Sequence, residues 1–289
     1  MSLTFRRQIR IIENSQTIQG LKLNMIIALP ALDPVAFSIG PLAIRWYSLA
    51  YIAGILFALF WLKKSNERDH YLSKEAYDDW IMWSVLSVIL GGRIGYVLFY
   101  NFEFFLENPL EIFAFWHGGM SFHGGLFGAI FGMWLYARKY KINFLQLMDN
   151  LAIAAPVGLF CGRLANFMNM ELYGRVSESD FGIIFPNAGN LPRHPSQLYE
   201  AALEGILLFV ILFSLNRFSR ISKFYGKTSG LFLIFYGSFR IIIENFREPD
   251  EQLGFIFAQI TMGQLLSLPL ILIGIFLFLF CSKTKKDLA

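Results

Sequence analysis

Long apolar runs alternate with short polar connections along almost the whole chain. Seven runs each contain about twenty mainly apolar residues, the length that a helix needs to cross the hydrocarbon core of a bilayer. They lie at 44–62, 81–100, 118–137, 144–162, 198–216, 229–247 and 263–281. Lipid offers the backbone no hydrogen-bond partners, and the runs do not alternate as barrel strands do, so each is expected to be a helix. The pattern predicts an all-α polytopic membrane protein with seven transmembrane helices.

The positive charges between the runs predict the orientation of these helices, because cytoplasmic loops carry an excess of lysine and arginine. Basic loops follow the first, third, fifth and seventh runs: Lys63, Lys64, Arg68 and Lys74; Arg138, Lys139 and Lys141; Arg217, Arg220, Lys223 and Lys227; Lys283, Lys285 and Lys286. The loops 101–117 and 248–262 contain neither residue type. The rule places the N-terminus outside and the C-terminus, with the tail 282–289, in the cytoplasm.

Three further segments are predicted to lie outside the spans. Residues 25–43 are apolar but interrupted by prolines, which break helices, so they are expected to form an N-terminal interfacial arm. Residues 166–197 are rich in glycine and proline, which is typical of turns, and are expected to form a small extracytoplasmic subdomain. The basic residues 1–24 disagree with the predicted orientation and are interpreted as a possible N-terminal extension of a domain that spans 25–281.

Composition narrows the class of protein. Hydrophobic residues make up 55% of the chain and charged residues only 16%, whereas soluble proteins carry about 25% charged residues. A soluble enzyme, a disordered chain and a nucleic-acid binder are excluded, and the net charge of +4 suits contact with anionic membrane lipid. The two cysteines form no disulfide framework and, like the four histidines, no metal-binding motif. No metal and no cofactor are therefore expected.

The ionisable residues inside the apolar runs are the most informative, since each costs at least about 2.5–3.5 kcal/mol to insert. Tyr236, Arg240 and Glu244 are spaced by four and share one helix stripe. Arg93 lies among glycines, which permit close helix packing. For both groups two interpretations stay open, a structural contact between packed helices or a role in binding substrate.

Histidine and arginine point to two kinds of chemistry. His123 is surrounded by glycines that leave room for a ligand, and an imidazole is the side chain best suited to exchange a proton at neutral pH. Its alternative is a satisfied core histidine. Arginine stays charged and matches phosphate geometry, so Arg93, Arg163 and Arg240 favour an anionic phospholipid headgroup as ligand.

Four sequence motifs resemble one known family over roughly residues 25–281. They are Gly162–Arg175 (GRLANFMNMELYGR), His117–Gly125 (HGGMSFHGG), Leu191–Glu200 (LPRHPSQLYE) and Tyr236–Asp250 (YGSFRIIIENFREPD). Together they resemble the prolipoprotein diacylglyceryl transferase family of the bacterial inner membrane. Ala165 departs from the glycine expected in some relatives, but it carries no chemistry.

The resemblance implies a multi-pass enzyme of the bacterial cell inner membrane with a seven-helix fold. The implied reaction moves the diacylglyceryl group of phosphatidylglycerol to the lipobox cysteine thiol of a prolipoprotein. A thioether forms and glycerol phosphate leaves, and no cofactor is needed. The implied partners are phosphatidylglycerol, the lipobox segment and membrane lipid.

The resemblance also implies a role for each matching residue. His123 is expected to be the base, and Arg163 and Arg240 to hold the charge on the departing phosphate. Substrate binding is assigned to Tyr47, Arg163, Asn166, Gly174, Tyr236, Arg240, Glu244 and Arg247. An arginine-activated thiol, with His123 only structural, fits the sequence equally well.

Two other classes of protein compete with the transferase. An anion transporter or channel would use the same buried arginines. An inverted repeat or a pair of broken helices would favour this interpretation, and the sequence has no evident sign of either. A scaffold would use the intramembrane charges only to hold helices together.

Overall fold

The computed structural model describes residues 10–11, 25–248, 255–257 and 260–280, and these residues are mostly helical. Most of the predicted extension 1–24 and the whole predicted tail 282–289 lie outside them. The helices are α1 (Trp46–Asp69), α2 (Lys74–Tyr100), α3 (Phe102–Glu107), α4 (Phe122–Lys139), α5 (Phe144–Met168), α6 (Ser196–Glu200), α7 (Leu208–Phe218), α8 (Lys227–Ile243) and α9 (Met262–Phe280). A π-helical segment, Ala201–Leu207, joins α6 and α7 into one helix over Ser196–Phe218.

Every predicted apolar run contains a long helix. In the described part of the chain, five helices are long and apolar enough to cross a membrane: Trp46–Asp69, Lys74–Tyr100, Phe144–Met168, Ser196–Phe218 and Met262–Phe280. At the third and sixth runs lie α4, with 18 residues, and α8, with 17 residues. The protein is therefore a helical membrane protein, and the count of seven spans stays a prediction.

The fold comprises two compact units. One is Leu59–Asn150, and the other combines the described residues of Met1–Ala58 with those of Leu151–Ala289.

In the unit Leu59–Asn150, α2 and α4 pack through facing glycines. A methyl group added to Gly95 would lie 2.6 Å from the Cα atom of Gly124, and one added to Gly91 would meet the Cα atom of Gly128 at 2.5 Å. Real Cβ atoms do not approach backbone this closely. The close helix approach predicted around Gly91 and Gly95 is confirmed.

Hydrogen-bonding caps set the beginnings of these two helices. The Ser73 hydroxyl accepts from the Ala76 amide at 3.1 Å, so α2 begins seven residues before the apolar run at 81–100. The Ser121 hydroxyl accepts from the Gly124 amide at 3.2 Å, which begins α4 at Phe122.

Short strands lie between the helices, so the prediction of an all-α protein is corrected there. The strands are β1 (Arg10–Ile11), β2 (Met25–Ala28), β3 (Val35–Ile39), β4 (Leu42–Arg45), β5 (Phe181–Ile184), β6 (Phe255–Phe257) and β7 (Ile260–Thr261). The sheets are β1-β2-β5, with β2 and β5 parallel, and the antiparallel pairs β3-β4 and β6-β7. In these segments, strand pairing satisfies part of the backbone hydrogen bonding.

The predicted arm and the predicted subdomain meet in one small core. Strand β2 lies in the arm and β5 in the subdomain, and their pairing brings Ile27 against the buried Ile183 and Phe185. The segment 25–43 contains no membrane-spanning helix, as predicted, and it forms strands, while its interfacial location stays a prediction.

The hairpin β3–β4 leads directly into the first long helix. Gly40 makes its turn with a φ of +58°, a conformation that suits glycine. Strand β4 ends at Arg45 and α1 begins at Trp46 with no residue between them. The Trp46 indole donates to the Asp33 carbonyl at 3.1 Å, which fastens the start of α1 to the base of the hairpin.

Candidate active site

A close helix contact places Arg163 beside two glutamates. A methyl group on Gly205, in the π-helical segment, would lie 2.7 Å from the Cβ atom of Phe160, so only glycine allows α5 to approach here. Three residues further along α5, the Nε atom of Arg163 lies 2.5 Å from Oε2 of Glu200. Its Nη2 atom lies 3.5 Å from Oε2 of Glu204.

Arg240 reaches the same two glutamates from α8. Its Nη1 atom lies 3.3 Å from Oε1 of Glu200 and 3.8 Å from Oε1 of Glu204. Its Nη2 atom lies 2.6 Å from Oε1 of Glu244, one helical turn later. The structure thus joins arginines from two helices through shared carboxylates. We call Arg163, Arg240, Glu200, Glu204 and Glu244 the arginine–glutamate cluster.

The cluster is buried on its acidic side and more open on its basic side. The side chains of Glu200, Glu204 and Glu244 are 1%, 0% and 3% exposed, whereas that of Arg163 is 18% exposed. Buried charges are tolerated where several partners pair with them. The accessible groups are therefore guanidinium donors, which suit an anionic ligand.

Glu244 is held by residues around it. The Thr261 hydroxyl donates to Glu244 Oε2 at 2.8 Å, and Nη1 of Arg247 lies 3.3 Å from its Oε1. The Arg175 guanidinium donates to the backbone carbonyls of Arg247 and Glu244, at 2.9 and 3.3 Å. These contacts fix the carboxylate that pairs with Arg240.

A second polar group adjoins Arg163. The Tyr47 hydroxyl donates to Glu171 Oε1 at 2.6 Å, and the Asn166 amide donates to the same oxygen at 3.1 Å and to the Tyr47 hydroxyl. The Asn166 carbonyl accepts from Nη1 of Arg163 at 3.4 Å. The predicted residues Tyr47, Asn166, Arg163, Arg240, Glu244 and Arg247 are therefore brought together in one unit.

Gly174 supports the site through its backbone. Its amide donates to the His194 carbonyl at 2.8 Å, and it forms an antiparallel bridge with Arg247. A methyl group at Gly174 would lie 2.7 Å from that carbonyl oxygen, so a side chain does not fit. The space around it is filled by the protein's own backbone.

Tyr236 lies one turn before Arg240 on α8, so the predicted stripe of Tyr236, Arg240 and Glu244 lies along the continuous helix α8 and its C-cap, as expected from the spacing. The Tyr236 ring stacks on Phe232 with the ring centroids 5.7 Å apart.

His123 belongs to the other unit, Leu59–Asn150. It is the second residue of α4 and is exposed, so the alternative of a satisfied core histidine is wrong. It also lies at the end of a helix rather than deep within one. It lines a largely apolar cavity of about 1140 Å³ beside α2 and α4.

Arg93 is a structural clamp. Its buried guanidinium donates to the backbone carbonyls of Ile112, Ala114 and Gly119, at 3.0, 3.1 and 3.2 Å, and further contacts reach Glu111 and Gly118. Of the two interpretations of Arg93, the packing contact to carbonyls is confirmed.

Three acidic residues of these groups received no role from the sequence: Glu171, Glu200 and Glu204. Glu200 and Glu204 are noticeable because they lie at the start of an apolar run, and Glu171 lies within the motif Gly162–Arg175. Glu200 and Glu204 pair with arginines that lie more than 30 residues away in the sequence. Tyr47 and Glu171, which share a hydrogen bond, lie more than 100 residues apart. In the described part of the chain, no group of three His, Cys, Asp or Glu is arranged to hold a metal ion.

Fold and site together define a helical membrane protein with a buried cluster of arginines and glutamates that presents guanidinium donors. The family model of prolipoprotein diacylglyceryl transferase matches residues 34–280. The chain belongs to this family.

Relatives from several bacteria are similar over nearly their whole length. Proteins named phosphatidylglycerol–prolipoprotein diacylglyceryl transferase from Rickettsia felis and Rickettsia conorii are 52% and 51% identical to this chain over 258 residues, which cover 89% of it and 99% of each relative. The protein of that name from Idiomarina loihiensis is 52% identical over 260 residues, covering 90% of this chain and 96% of the relative.

Proposed function

We propose that the protein transfers the diacylglyceryl group of phosphatidylglycerol to the lipobox cysteine thiol of prolipoproteins. Family membership supports this activity. The structural observation that carries it is the pairing of Arg163 and Arg240, from two helices, through shared buried glutamates. Two fixed guanidinium groups suit the phosphate of an anionic lipid headgroup.

The proposed reaction balances without a cofactor. The thiol gives its proton to a base, because the thiolate is the nucleophile. The sulfur then attacks the glyceryl carbon, the carbon–oxygen bond breaks, and its electron pair leaves with glycerol phosphate. Arg163 and Arg240 stabilise the charge that grows on this phosphate. A thioether remains on the prolipoprotein.

His123 is the proposed base. Its exposure supports the proposal, since a base must contact the group that it deprotonates. Activation of the thiol by an arginine stays the alternative, with His123 then only structural.

The remaining site residues are proposed to bind or orient substrate. Glu244, 2.6 Å from Arg240, orients that guanidinium. Tyr47 and Asn166 offer polar groups next to Arg163, and Tyr236 offers a hydroxyl one turn from Arg240. Arg247 adds a further positive charge, and Gly174 lets the surrounding backbone pack closely.

We also propose a seven-span topology in the bacterial cell inner membrane, with the N-terminus outside and the C-terminus in the cytoplasm. The positions of α4 and α8 at the third and sixth apolar runs support the count. The domain 25–281 then carries the activity, and 166–197 with the arm lies on the outer side.

The test incubates the purified protein with radiolabelled phosphatidylglycerol and a lipobox peptide. We expect the peptide to gain the mass of one diacylglyceryl group while glycerol phosphate appears in equal amount. A peptide with serine in place of the lipobox cysteine is the control. Anion flux across vesicles without peptide modification would instead identify a transporter. If neither peptide modification nor anion flux is observed, the protein is a scaffold.

A further inference from the structure

Glu204 differs from the other two glutamates of the arginine–glutamate cluster. Its side chain is 0% exposed, and both of its carboxylate oxygens lack a hydrogen bond within the described structure. Its ion-pair distances of 3.5 and 3.8 Å are longer than the shortest contacts of Glu200 and Glu244, at 2.5 and 2.6 Å. A buried carboxylate with such long ion-pair contacts contributes little to stability. We therefore consider its effect on the orientation of Arg163 and Arg240.

The contacts of Glu204 restrict rotation of both arginines. Arg163 meets Glu200 through Nε and Glu204 through Nη2. The Asn166 side-chain carbonyl accepts from the third nitrogen, Nη1, at 3.4 Å, so Glu204 is the charged partner of Nη2 and adds to the contacts that fix the guanidinium plane. Arg240 is held by Glu244 on Nη2, and its Nη1 atom lies between Glu200 and Glu204, at 3.3 and 3.8 Å.

We propose that Glu204 is a positioning residue that fixes the guanidinium planes of Arg163 and Arg240 so that both address one phosphate. The close approach of α5 at Gly205 brings Glu204 to this place. The inference rests on the proposed diacylglyceryl transfer and adds to it a residue to which the sequence gave no role.

The decisive variant is Glu204→Gln, which keeps the size of the side chain and removes its charge. We expect kcat to fall about tenfold or more, because small misplacements of catalytic groups are costly. KM for phosphatidylglycerol stays unchanged or falls, since both arginines keep their charge and one competing negative charge is lost. Glu204→Asp keeps the carboxylate and is expected to restore part of kcat.

Glu248→Gln is the matched control. It makes the same chemical change at an exposed glutamate that pairs with Arg193 at 2.8 Å, outside the cluster. We expect its kcat and KM to equal those of the wild type. The melting temperature of every variant is measured in the same detergent.

Three outcomes overturn the proposal. A kcat of Glu204→Gln equal to wild type removes the positioning role. A higher KM with unchanged kcat shows simple binding instead, and a large loss of melting temperature that Glu204→Asp reverses together with kcat shows a structural role. An inactive wild type would contradict the proposed function and the inference together. This result is distinguishable from the other three, because in those the wild type is active and only the Glu204 variants differ.

Discussion

At the scale of single residues, the cost of burying charge is the signal that identified most of the site. Arg240 and Glu244 are conspicuous within an apolar run, Arg163 directly follows one, and the structure pairs all three in one cluster. Sequence alone does not say which charge meets which. Arg93 has the same signature but binds backbone carbonyls of the segment that joins α3 to α4.

Arg240→Ala is expected to reduce transfer by about 100-fold or more, the size of effect that follows loss of a donor to developing charge. The change removes a partner from Glu200, Glu204 and Glu244. We expect the protein to stay folded, because Arg163 still pairs with the first two glutamates, and Arg247 and Thr261 still contact the third. The measurement is the peptide transfer assay. Arg217→Ala, an exposed change at the end of α7, is the control. Near-full activity of Arg240→Ala would contradict the phosphate-binding role.

His123→Gln tests the proposed base. We expect kcat to fall and the remaining rate to follow the thiolate fraction of the substrate, rising with pH up to the thiol pKa near ~8.5. The measurement is the pH dependence of kcat/KM in wild type and variant. A near-normal rate across the pH range would show that His123 is only structural and would favour activation by an arginine.

His194 is predicted to make stability depend on pH. Burial against Tyr199 and Phe246 lowers the pKa of its imidazole. The unfolded chain, with a histidine pKa of about 6.5, then binds the proton more readily than the folded protein. The contribution of neutral His194 to the free energy of unfolding is fully present above that pH and is lost as the pH falls below it. The melting temperature of the wild type should therefore drop more steeply below about pH 6.5 than that of His194→Gln; equal slopes would contradict this.

At the scale of elements, periodicity and length predict the long helices well and their ends poorly. The first run ends at 62, but α1 continues to Asp69, because polar residues outside the hydrocarbon core remain helical. The strands were not predicted. Strand β2 is only four residues long, and its partner β5 lies about 150 residues further along the chain, so no local pattern marks it.

Gly124→Ala is expected to weaken the packing of α2 against α4. The added methyl group would lie 2.8 Å from the Cα atom of Gly95, and we expect a loss of about 1–3 kcal/mol in the free energy of unfolding. Gly125→Ala is the matched control on the same helix, because its methyl group meets neighbours at 3.6 Å or more. Thermal unfolding in detergent measures both. Equal melting temperatures would show that the contact is not tight in solution.

At the scale of the whole molecule, the motifs indicated the family and composition indicated the membrane. Family membership is confirmed, and five helices of the described residues are long and apolar enough to cross a membrane. The orientation rests on loop charges and stays a prediction, as does the role of each site residue. Convergence of Tyr47, Asn166 and Arg163 is a property of the folded chain, because α1 and α5 meet only in three dimensions.

Because β4 passes directly into α1, the hairpin determines where Tyr47 lies. Tyr47 is the second residue of α1, and Trp46 before it is fastened to Asp33. Successive helical residues are rotated by about 100°. One extra residue after Arg45 would swing the phenol away from Glu171, so the contact between Tyr47 and Glu171 depends on the length of this junction.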